Sequence, residues 1–288
     1  MKPKKTLRMK YPQWHGGVNP DYVLGSNILS ILAPQNPRDE QVEIFVETDF
    51  SKKEKFDGID CGKQLLDELN QAYSILNEKQ PTHVIVFGGD CSVSQAPFDY
   101  LKGRYGENIG IIWFDAHPDV SGPNDSSHLH EYVLADLMGQ NPDSKITKVN
   151  NPYNPKNVIM AGLIEKDLRP MDMACKRLNL EICSPEELSK SSDKILKWIE
   201  INNIKFLAVH WDLDVLTPND FRSIYPGEPY MDINNFPWAI GKMKLSEVGR
   251  VLKDVSEKSE IVGLSIAEHI PWDALNLRKT LSEIPIFK

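Results

Sequence analysis

The chain has 288 residues, of which 41% are hydrophobic and 26% are charged, an ordinary composition for a globular protein that folds in water. Its net charge is −8 and no basic block follows residues 2–10, so we expect no nucleic-acid partner. No stretch approaches the roughly 20 apolar residues that a membrane span needs, so we expect no membrane partner either.

The four cysteines lie far apart and form no CxxC pair, which favours free thiols in a reducing compartment over a disulfide framework. They are Cys61, Cys91, Cys175 and Cys183. The positively charged amino terminus is not followed by an apolar segment of signal-peptide length. We therefore predict a cytoplasmic protein. Because no Pro/Gly/Ser-rich linker or internal repeat divides the sequence, we predict a single domain over residues 1–288.

Apolar runs of strand length alternate along the chain with segments of helical character. In order, the predicted strands are residues 7–14, 42–46, 84–87, 109–112, 158–161, 206–209 and 261–266. The predicted helices are residues 20–32, 61–78, a segment that ends at 101, and residues 131–138, 185–199, 245–255 and 272–281. Ser184 and Glu187 form the pattern of a capping box, with Pro185 at the first helical position. This alternation indicates an α/β fold whose parallel sheet is covered on both faces.

Two groups of acidic residues directly follow buried strands. The strand at 109–112 is followed by Asp115, His117 and Asp119. The strand at 206–209 is followed by Asp212 and Asp214. Because side chains alternate along an extended chain, the members of each group point the same way, and Asp119 joins them if the chain stays extended. Four such carboxylates would repel one another unless cations balance them. Since imidazole is a common metal ligand, we predict a site for two divalent metal ions.

Four short blocks carry a family resemblance. In chain order they read Gly88-Gly89-Asp90-x-Ser92, then Asp115-Ala116-His117-Pro118-Asp119, then Asp212-Leu213-Asp214 with Pro218 after it, and Glu268 with Pro271 after it. Together they resemble the signature blocks of the ureohydrolase superfamily, whose members include arginase, agmatinase, formimidoylglutamase and guanidino-acid hydrolases. The blocks occur in family order from residue 88 to 271, and a motif match counts most in the expected structural context.

The resemblance implies a fold, a cofactor and a reaction. The fold would be a three-layer α/β/α arrangement with a central parallel sheet of about eight strands, and the protein would be a trimer or hexamer. Two Mn²⁺ ions per chain would share a bridging hydroxide that attacks a guanidino or formimidoyl carbon and so hydrolyses a carbon–nitrogen bond of a linear amidine. One ion would be held by Asp115, His117, Asp212 and Asp214. The other would be held by Cys91, Asp115, Asp119 and Asp212.

Cys91 departs from the family pattern, which usually has a histidine at this position. A thiolate is a softer ligand than imidazole and favours Zn or Fe over Mn. Cys91 could ligate Mn²⁺ nonetheless, change the metal preference, leave the site weak, or be a buried cysteine without a ligand role. A weak site suggests an alternative function, that of a non-catalytic family member or one of altered metal and substrate preference. An unrelated two-metal phosphoesterase is a third hypothesis, although that class uses more histidine ligands than this chain offers.

The resemblance also suggests catalytic residues. Asp119 would act as a metal ligand, and His130 would carry protons to the leaving amine, with His128 as the second choice; the alternative for His130 is an exposed loop residue. Glu268 would bind the planar cation of the substrate through two parallel hydrogen bonds, unless it is only an acid at a strand end paired with a lysine. Glu131, where the family usually has glycine, would begin a helix, and a carboxylate that narrows the pocket is the alternative.

Other polar residues receive weaker assignments. Ser121 and Asp167 lie where arginases bind the amino-acid part of their substrate, so both are candidate substrate-binding residues. We expect Asp90 to support the site without binding metal. We expect His210 to pack between the sheet and a helix.

Overall fold

The computed structural model describes residues 4–51 and 53–287 and contains an eight-stranded sheet in which all neighbouring strands are parallel. The strands are β1 Thr6–Tyr11, β2 Glu40–Glu43, β3 His83–Gly88, β4 Ile109–Phe114, β5 Val158–Ala161, β6 Glu181–Cys183, β7 Phe206–Asp212 and β8 Glu260–Ala267. Their spatial order is β2-β1-β3-β8-β7-β4-β5-β6. The predicted α/β class and the parallel sheet of eight strands are thus confirmed.

The helices connect the strands and cover both faces of the sheet. They are α1 Asp21–Leu32, α2 Gly62–Lys79, α3 Gln95–Tyr105, α4 Val133–Leu137, α5 Ala174–Arg177, α6 Pro185–Leu188, α7 Asp193–Ile201, α8 Leu245–Ser256 and α9 Trp272–Glu283. Of the helices in residues 4–51 and 53–287, none is both long enough and apolar enough to cross a membrane.

Strand β4 shows how one sheet serves two cores. Its alternate side chains Ile111 and Trp113 belong to the core under α2 and α3, whereas Ile112 and Phe114 belong to the core under α7 and α8. A strand buried on both faces is apolar throughout instead of alternating, as β4 is. The result is the expected three-layer α/β/α arrangement.

Several element boundaries differ from the prediction. Strand β1 ends at Tyr11 instead of residue 14, because Pro12 has no N–H for the ladder between two partner strands. Strand β2 occupies residues 40–43 instead of 42–46. Strand β6 was not predicted, since its three residues at the sheet edge include an exposed Glu181 and give almost no pattern.

The predicted helix at residues 185–199 is interrupted. Its capping box between Ser184 and Glu187 is confirmed, but α6 ends at Leu188 and α7 begins only at Asp193. The hydroxyl of Ser191 accepts a hydrogen bond from the backbone N–H of Asp193, a local alternative to helical hydrogen bonds. Residues 131–138 are likewise shorter as a helix, because a 3₁₀ turn at Leu129–Tyr132 precedes α4.

The strand order brings the predicted site together. Strands β3, β8, β7 and β4 are consecutive neighbours, and a motif block follows or ends each of them. Because all four run in the same direction, their carboxyl ends meet at one edge of the sheet, where open α/β sheets bind ligands.

Candidate metal centre

Five carboxylates converge on this edge. Asp115 follows β4, Asp212 ends β7, and Glu268 follows β8. Asp119 and Asp214 lie in the loops just beyond, and all five residues are buried. The turn after β3 adds Cys91, which is 1% exposed. The convergence predicted from the sequence is therefore observed, although whether these residues bind metal is a separate question.

The chain reaches this arrangement by a different path from the one predicted. Asp119 is not on an extended segment: the chain bends after Asp115, and Asp119 has a left-handed backbone with φ of 47°. Asp214 lies in the 3₁₀ turn Leu213–Val215, where its N–H donates to Asp212 Oδ1 at 2.7 Å. Turns, and not strand alternation alone, aim these two side chains. A left-handed non-glycine residue costs energy and is typical of functional sites.

One group of candidate ligands comprises Asp115, His117 and Asp214. His117 Nδ1 lies 3.0 Å from Asp214 Oδ2 and 3.5 Å from Asp115 Oδ1. Trp113 Nε1 donates to Asp115 Oδ2 at 3.0 Å and thereby orients this carboxylate. A ligand atom from each of the three residues lies within 4.8 Å of the others, which is close enough for one ion to contact all three.

A second group contains Cys91. Its Sγ donates to Asp212 Oδ2 at 3.0 Å and to Glu268 Oε1 at 3.6 Å. It also lies within 4.8 Å of carboxylate oxygens of Asp115 and Asp119. Asp115 is therefore common to both groups, as a residue bridging two metal ions would be.

The backbone around Cys91 is held by Asp90. Its carboxylate accepts hydrogen bonds from the N–H groups of Gly16 at 2.9 Å, Gly17 at 3.2 Å and Ser92 at 3.0 Å. A Cβ at Gly89 would lie 1.6 Å from the carbonyl oxygen of Gln13, so this turn requires glycine. These contacts are of the supporting kind expected for Asp90.

Burial and mutual repulsion disfavour the charged forms of the carboxylates at this site. Burial, and then the charge of Asp214, raises the pKa of Asp115 to about 6. Burial and a neighbouring carboxylate raise the pKa values of Asp119 and Asp212 well above their usual range. Burial raises the pKa of Glu268 to about 7. A bound divalent cation would reverse this destabilisation of the charged forms.

His117 and Asp214 behave as an ion pair. Burial lowers the pKa of His117, but Asp214 and Asp115 outweigh it and raise this pKa well above 6.5. His117 in turn lowers the pKa of Asp214, against the effect of burial. In the part of the chain that the structure describes, Asp119 Oδ2 is buried without a hydrogen-bond partner. An orphaned carboxylate oxygen among oxygen, nitrogen and sulfur donors fits a site for divalent metal ions.

All the metal-ligand candidates except Asp115 line a cavity of about 550 Å³. Its lining includes Cys91, His117, Asp119, Asp212, Asp214 and Glu268. His130 lines the same cavity, and its Nδ1 lies 2.8 Å from the carbonyl oxygen of Gly16. Burial lowers the pKa of His130, but Glu268 and Glu131 outweigh it and raise this pKa above 6.5.

The chain is similar in sequence to known proteins of one family. The model of the Arginase family matches residues 27–227, which is more than half of the chain. The chain belongs to the arginase family. Among curated relatives, arginase from Staphylococcus aureus strain COL is 26% identical over 167 residues, covering 56% of this chain and 53% of the relative. Arginase from Entamoeba histolytica is 24% identical over 221 residues, covering 72% of each chain. The match thus spans about half the length of the Staphylococcus relatives.

Solved structures of the arginase family share the fold. Entamoeba histolytica arginase in complex with L-ornithine has a TM-score of 0.75 at 15% identity and covers 99% of this chain and 100% of its own. Bacillus subtilis arginase has a TM-score of 0.68 at 17% identity, covering 98% and 100%. A hypothetical agmatinase from Burkholderia thailandensis has a TM-score of 0.61 at 12% identity, covering 93% and 78%. Identities this low establish the fold alone.

Ser121 and Asp167, the two candidates for binding the amino-acid part of the substrate, are not among the described residues that line the cavity. Ser121 is buried and its Oγ donates to the carbonyl oxygen of Glu131 at 2.8 Å. Asp167 is exposed and lies 3.5 Å from Lys166 Nζ. Neither belongs to the described residues that line the cavity, so their substrate-binding roles stay predictions.

Glu131 does line the cavity of this arginase-family protein. It precedes α4 in a 3₁₀ turn and forms a 2.6 Å ion pair with Arg169 Nη1. Asp172 holds the other side of the same guanidinium at 3.0 Å. The sequence motifs do not point to Arg169, although it lies only two residues after Asp167. Glu131 therefore lies at the start of this helical segment and also lines the cavity together with Arg169, so both roles considered for it are compatible with the structure.

Aromatic residues form the outer wall of the cavity. Tyr225, Phe236, Trp238 and Trp272 line it with neighbouring ring centroids 5.3–6.3 Å apart. Tyr22 from α1 lines the inner part beside Glu268. The sequence signal that could have revealed this wall is the density of aromatic residues in the long loop after β7.

Proposed function

We propose that this protein hydrolyses a carbon–nitrogen bond of a linear amidine, with a guanidino or formimidoyl group as the reacting part of the substrate. Membership of the arginase family supports this reaction class. The observation that carries the proposal is the pair of ligand groups that share Asp115 and whose other members include Cys91, His117, Asp119 and Asp214 in the lining of one cavity. An acidic site in a cavity suits a planar cationic substrate.

Two divalent cations, in our proposal Mn²⁺ with Zn²⁺ or Fe²⁺ as alternatives, fit the donors present. Asp115, His117, Asp212 and Asp214 would hold one ion, and Cys91, Asp115, Asp119 and Asp212 would hold the other. Bound ions would lower the pKa of a water molecule and so supply hydroxide at neutral pH. The thiol of Cys91 would lose its proton on ligation, since thiolate is the form that binds metal.

Glu268 would bind and orient the substrate. Its carboxylate is 7% exposed, faces the cavity and lies beside Tyr22. Burial raises the pKa of Glu268 to about 7, because the charged carboxylate is poorly solvated. The positive charge of a substrate amidinium would compensate that carboxylate. Two parallel hydrogen bonds from the amidinium would turn its carbon toward the bound metal ions.

His130 would deliver a proton to the leaving amine. If Nδ1 donates to the carbonyl oxygen of Gly16, Nε2 is the nitrogen that exchanges protons on the cavity side. A pKa above 6.5, sustained by Glu268 and Glu131, keeps part of the imidazole protonated near neutral pH. An amine without this proton is a poor leaving group.

The test is a substrate screen with metal counting. The purified full chain, loaded with Mn²⁺ or Zn²⁺, is incubated with guanidino and formimino compounds while release of urea, formamide and amine is measured. We expect release from at least one compound, and a His130→Asn variant that keeps its metal but loses about 100-fold in kcat. Protein that retains two metal ions and releases nothing across the panel would contradict hydrolysis.

A non-catalytic family member is the second candidate, and Cys91 at the metal site favours it. One metal ion or none per chain in Mn²⁺, together with activity restored by Cys91→His, would support this candidate. Two ions and turnover in the native chain would exclude it. The phosphoesterase hypothesis is not proposed, because the chain belongs to the arginase family.

We further propose a cytoplasmic homo-oligomer, a trimer or hexamer, by analogy with the family the motifs resemble. Light scattering coupled to size-exclusion chromatography measures the assembly mass directly. A monomer at micromolar concentration would contradict the proposal.

A further inference from the structure

We propose that His210 is a metal ligand, whose Nε2 joins Cys91, Asp115 and Asp119 around one divalent cation. The inference rests on the metal centre of the proposed function and adds a residue that no signature block contains. With Asp212, which the proposed function places on the same ion, the donor set is one sulfur, one nitrogen and three carboxylates. Such a set selects a cation of intermediate softness, Zn²⁺ or Fe²⁺, over Mn²⁺.

The position of His210 carries this inference. It is fully buried on β7, two residues before Asp212, so strand alternation puts both side chains on the same face. One of its ring nitrogens lies close to Cys91 Sγ and to carboxylate oxygens of Asp115 and Asp119. All four atoms lie within 4.8 Å of one another. Four donors at such spacing can contact a single ion.

The two ring nitrogens of His210 have different surroundings. Nδ1 lies 2.8 Å from Ser94 Oγ and 3.1 Å from Ser265 Oγ. Nε2 is buried and, within residues 4–51 and 53–287, has no hydrogen-bond partner. A buried polar atom without a protein partner is costly in free energy, and a bound ion removes that cost. If Nδ1–H donates to a serine, the lone pair of Nε2 is left for the cation.

The contacts of His210 resemble those of a metal-binding histidine. Such residues donate their second ring N–H to a polar group that fixes the tautomer and the ring orientation. Here Ser94 and Ser265 supply that group, and the ring stacks on Trp113 with centroids 3.7 Å apart and planes at 17°. Trp113 in turn donates to Asp115 Oδ2. The packing predicted for His210 is therefore present, and it fixes the ring so that, in our proposal, the unpartnered Nε2 is the nitrogen that faces the ligand group.

The experiment observes His210 directly. The full chain is labelled with ¹⁵N-histidine, freed of metal with a chelator and titrated with Zn²⁺ while the ring nitrogens are followed by NMR. We expect the His210 Nε2 resonance, assigned by its loss in His210→Asn, to move from the free imine to the metal-bound position. Zn²⁺ affinity of one of two sites should fall at least tenfold in that variant. Asn can keep a contact with the serines but has no Nε2.

The matched control is His83→Asn, which removes a buried histidine that contacts Thr82 and Glu260 outside the site. It should leave both Zn²⁺ affinities unchanged. An Nε2 resonance of His210 that stays in place at saturating Zn²⁺ overturns the proposal. If His210→Asn does not fold, the resonance is assigned in the native chain from its contacts with the ring of Trp113, on which His210 stacks. Turnover is not measured, so the two proposals fail separately. A metal-bound His210 in a protein without hydrolase activity refutes only the hydrolase, and an active enzyme with free His210 refutes only the ligand.

Discussion

Cys91 is the residue at which this chain departs from the ureohydrolase signature blocks, which usually have a histidine at this position. Its thiol donates a hydrogen bond to Asp212 at 3.0 Å and is buried near the carboxylates of Asp115 and Asp119. Burial, and then Asp212 and Glu268, raises the pKa of Cys91 well above its usual range. A cation bound at this site would replace the proton of the thiol, so we expect metal binding to release one proton.

Replacing Cys91 by serine tests its role as a ligand. We expect Cys91→Ser to lower Zn²⁺ affinity at least tenfold and Mn²⁺ affinity much less, because the hydroxyl is a harder and weaker donor. Competition with a chromophoric chelator measures both affinities. Cys183→Ser, a buried cysteine in the other core, is the control. Equal losses for the two metals would contradict a ligating thiolate.

Glu268 provides a pH-dependent prediction for the metal-free protein. Burial raises its pKa from 4.5 to about 7 in the folded state. Between these pH values the folded protein holds a proton that the unfolded chain has released, so stability falls as pH rises through this window. Glu268→Gln removes the titration. The variant should gain roughly 1–3 kcal/mol in free energy of unfolding, relative to the native chain, from pH 4.5 to above pH 7.

Urea unfolding of both proteins in chelator, at pH 4.5 and pH 7.5, measures this difference. Glu257→Gln makes the same charge change at an exposed position and controls for it. A difference between the native chain and Glu268→Gln that is the same at both pH values would show that the pKa of Glu268 is not raised. Excess Zn²⁺ should shrink the effect, since a cation compensates the buried charge.

At the scale of elements, α1 holds the loop that follows β8. Gly25 in α1 lies so close to this loop that a Cβ would be 1.7 Å from the carbonyl oxygen of His269. His269 Nδ1 lies 3.1 Å from the carbonyl oxygen of Gly25. The neighbouring Glu268 has a left-handed backbone with φ of 60°. Close packing of a helix against a strained loop thus sets the position of this carboxylate.

Gly25→Ala should disturb that packing. We expect it to lower the free energy of unfolding by about 1–3 kcal/mol. The new Cβ would clash with the backbone carbonyl oxygen of His269, which cannot move aside as the end of a flexible side chain can. It should also raise KM, since Glu268 shifts with the loop. Gly249→Ala in the exposed face of α8, where a Cβ has nothing within 4 Å, should instead stabilise the protein by about 0.5–1 kcal/mol. Equal effects of the two substitutions on chemical unfolding would contradict the packing argument.

For the whole molecule, the charges of the site lie at the carboxyl ends of the central strands β8, β7 and β4. Any cation that binds only the folded sheet stabilises all of it, because these strands belong to one sheet that bears on both cores. Metal binding, as proposed, would therefore be coupled to global stability.

Chelation should lower the melting temperature. A site held at 100 times its dissociation constant adds about 2.7 kcal/mol, or roughly 4–5 °C for a chain of this size. Scanning calorimetry with EDTA or with Zn²⁺ measures the shift, and a single transition in both is expected of the single domain predicted over residues 1–288. Asp115→Asn, which alters the residue common to both ligand groups, should abolish most of the shift. Identical melting curves with and without metal would contradict the coupling.

Much of the fold could be predicted from the sequence because local patterns record burial. Continuous apolar runs such as 109–112 and 206–209 indicated strands buried on both faces, and alternation with helices indicated a parallel sheet. The break at residues 189–192 and the short β6 were missed because their patterns are weak. Motif residues such as Asp115 and Asp212 could be chosen because each directly follows or ends a strand.

What tertiary structure alone decided is which of these residues meet, and in what direction. Strand alternation put His210 and Asp212 on one face, but only the order β3-β8-β7-β4 brings a His210 nitrogen near Cys91, Asp115 and Asp119. The left-handed backbone of Asp119 and the Glu131–Arg169 pair also depend on contacts between distant segments. The sequence by itself determined the periodicity and the donor types, since both are local. Distances between donors are set by sheet order and loop packing, and both depend on contacts between segments that are distant in the sequence.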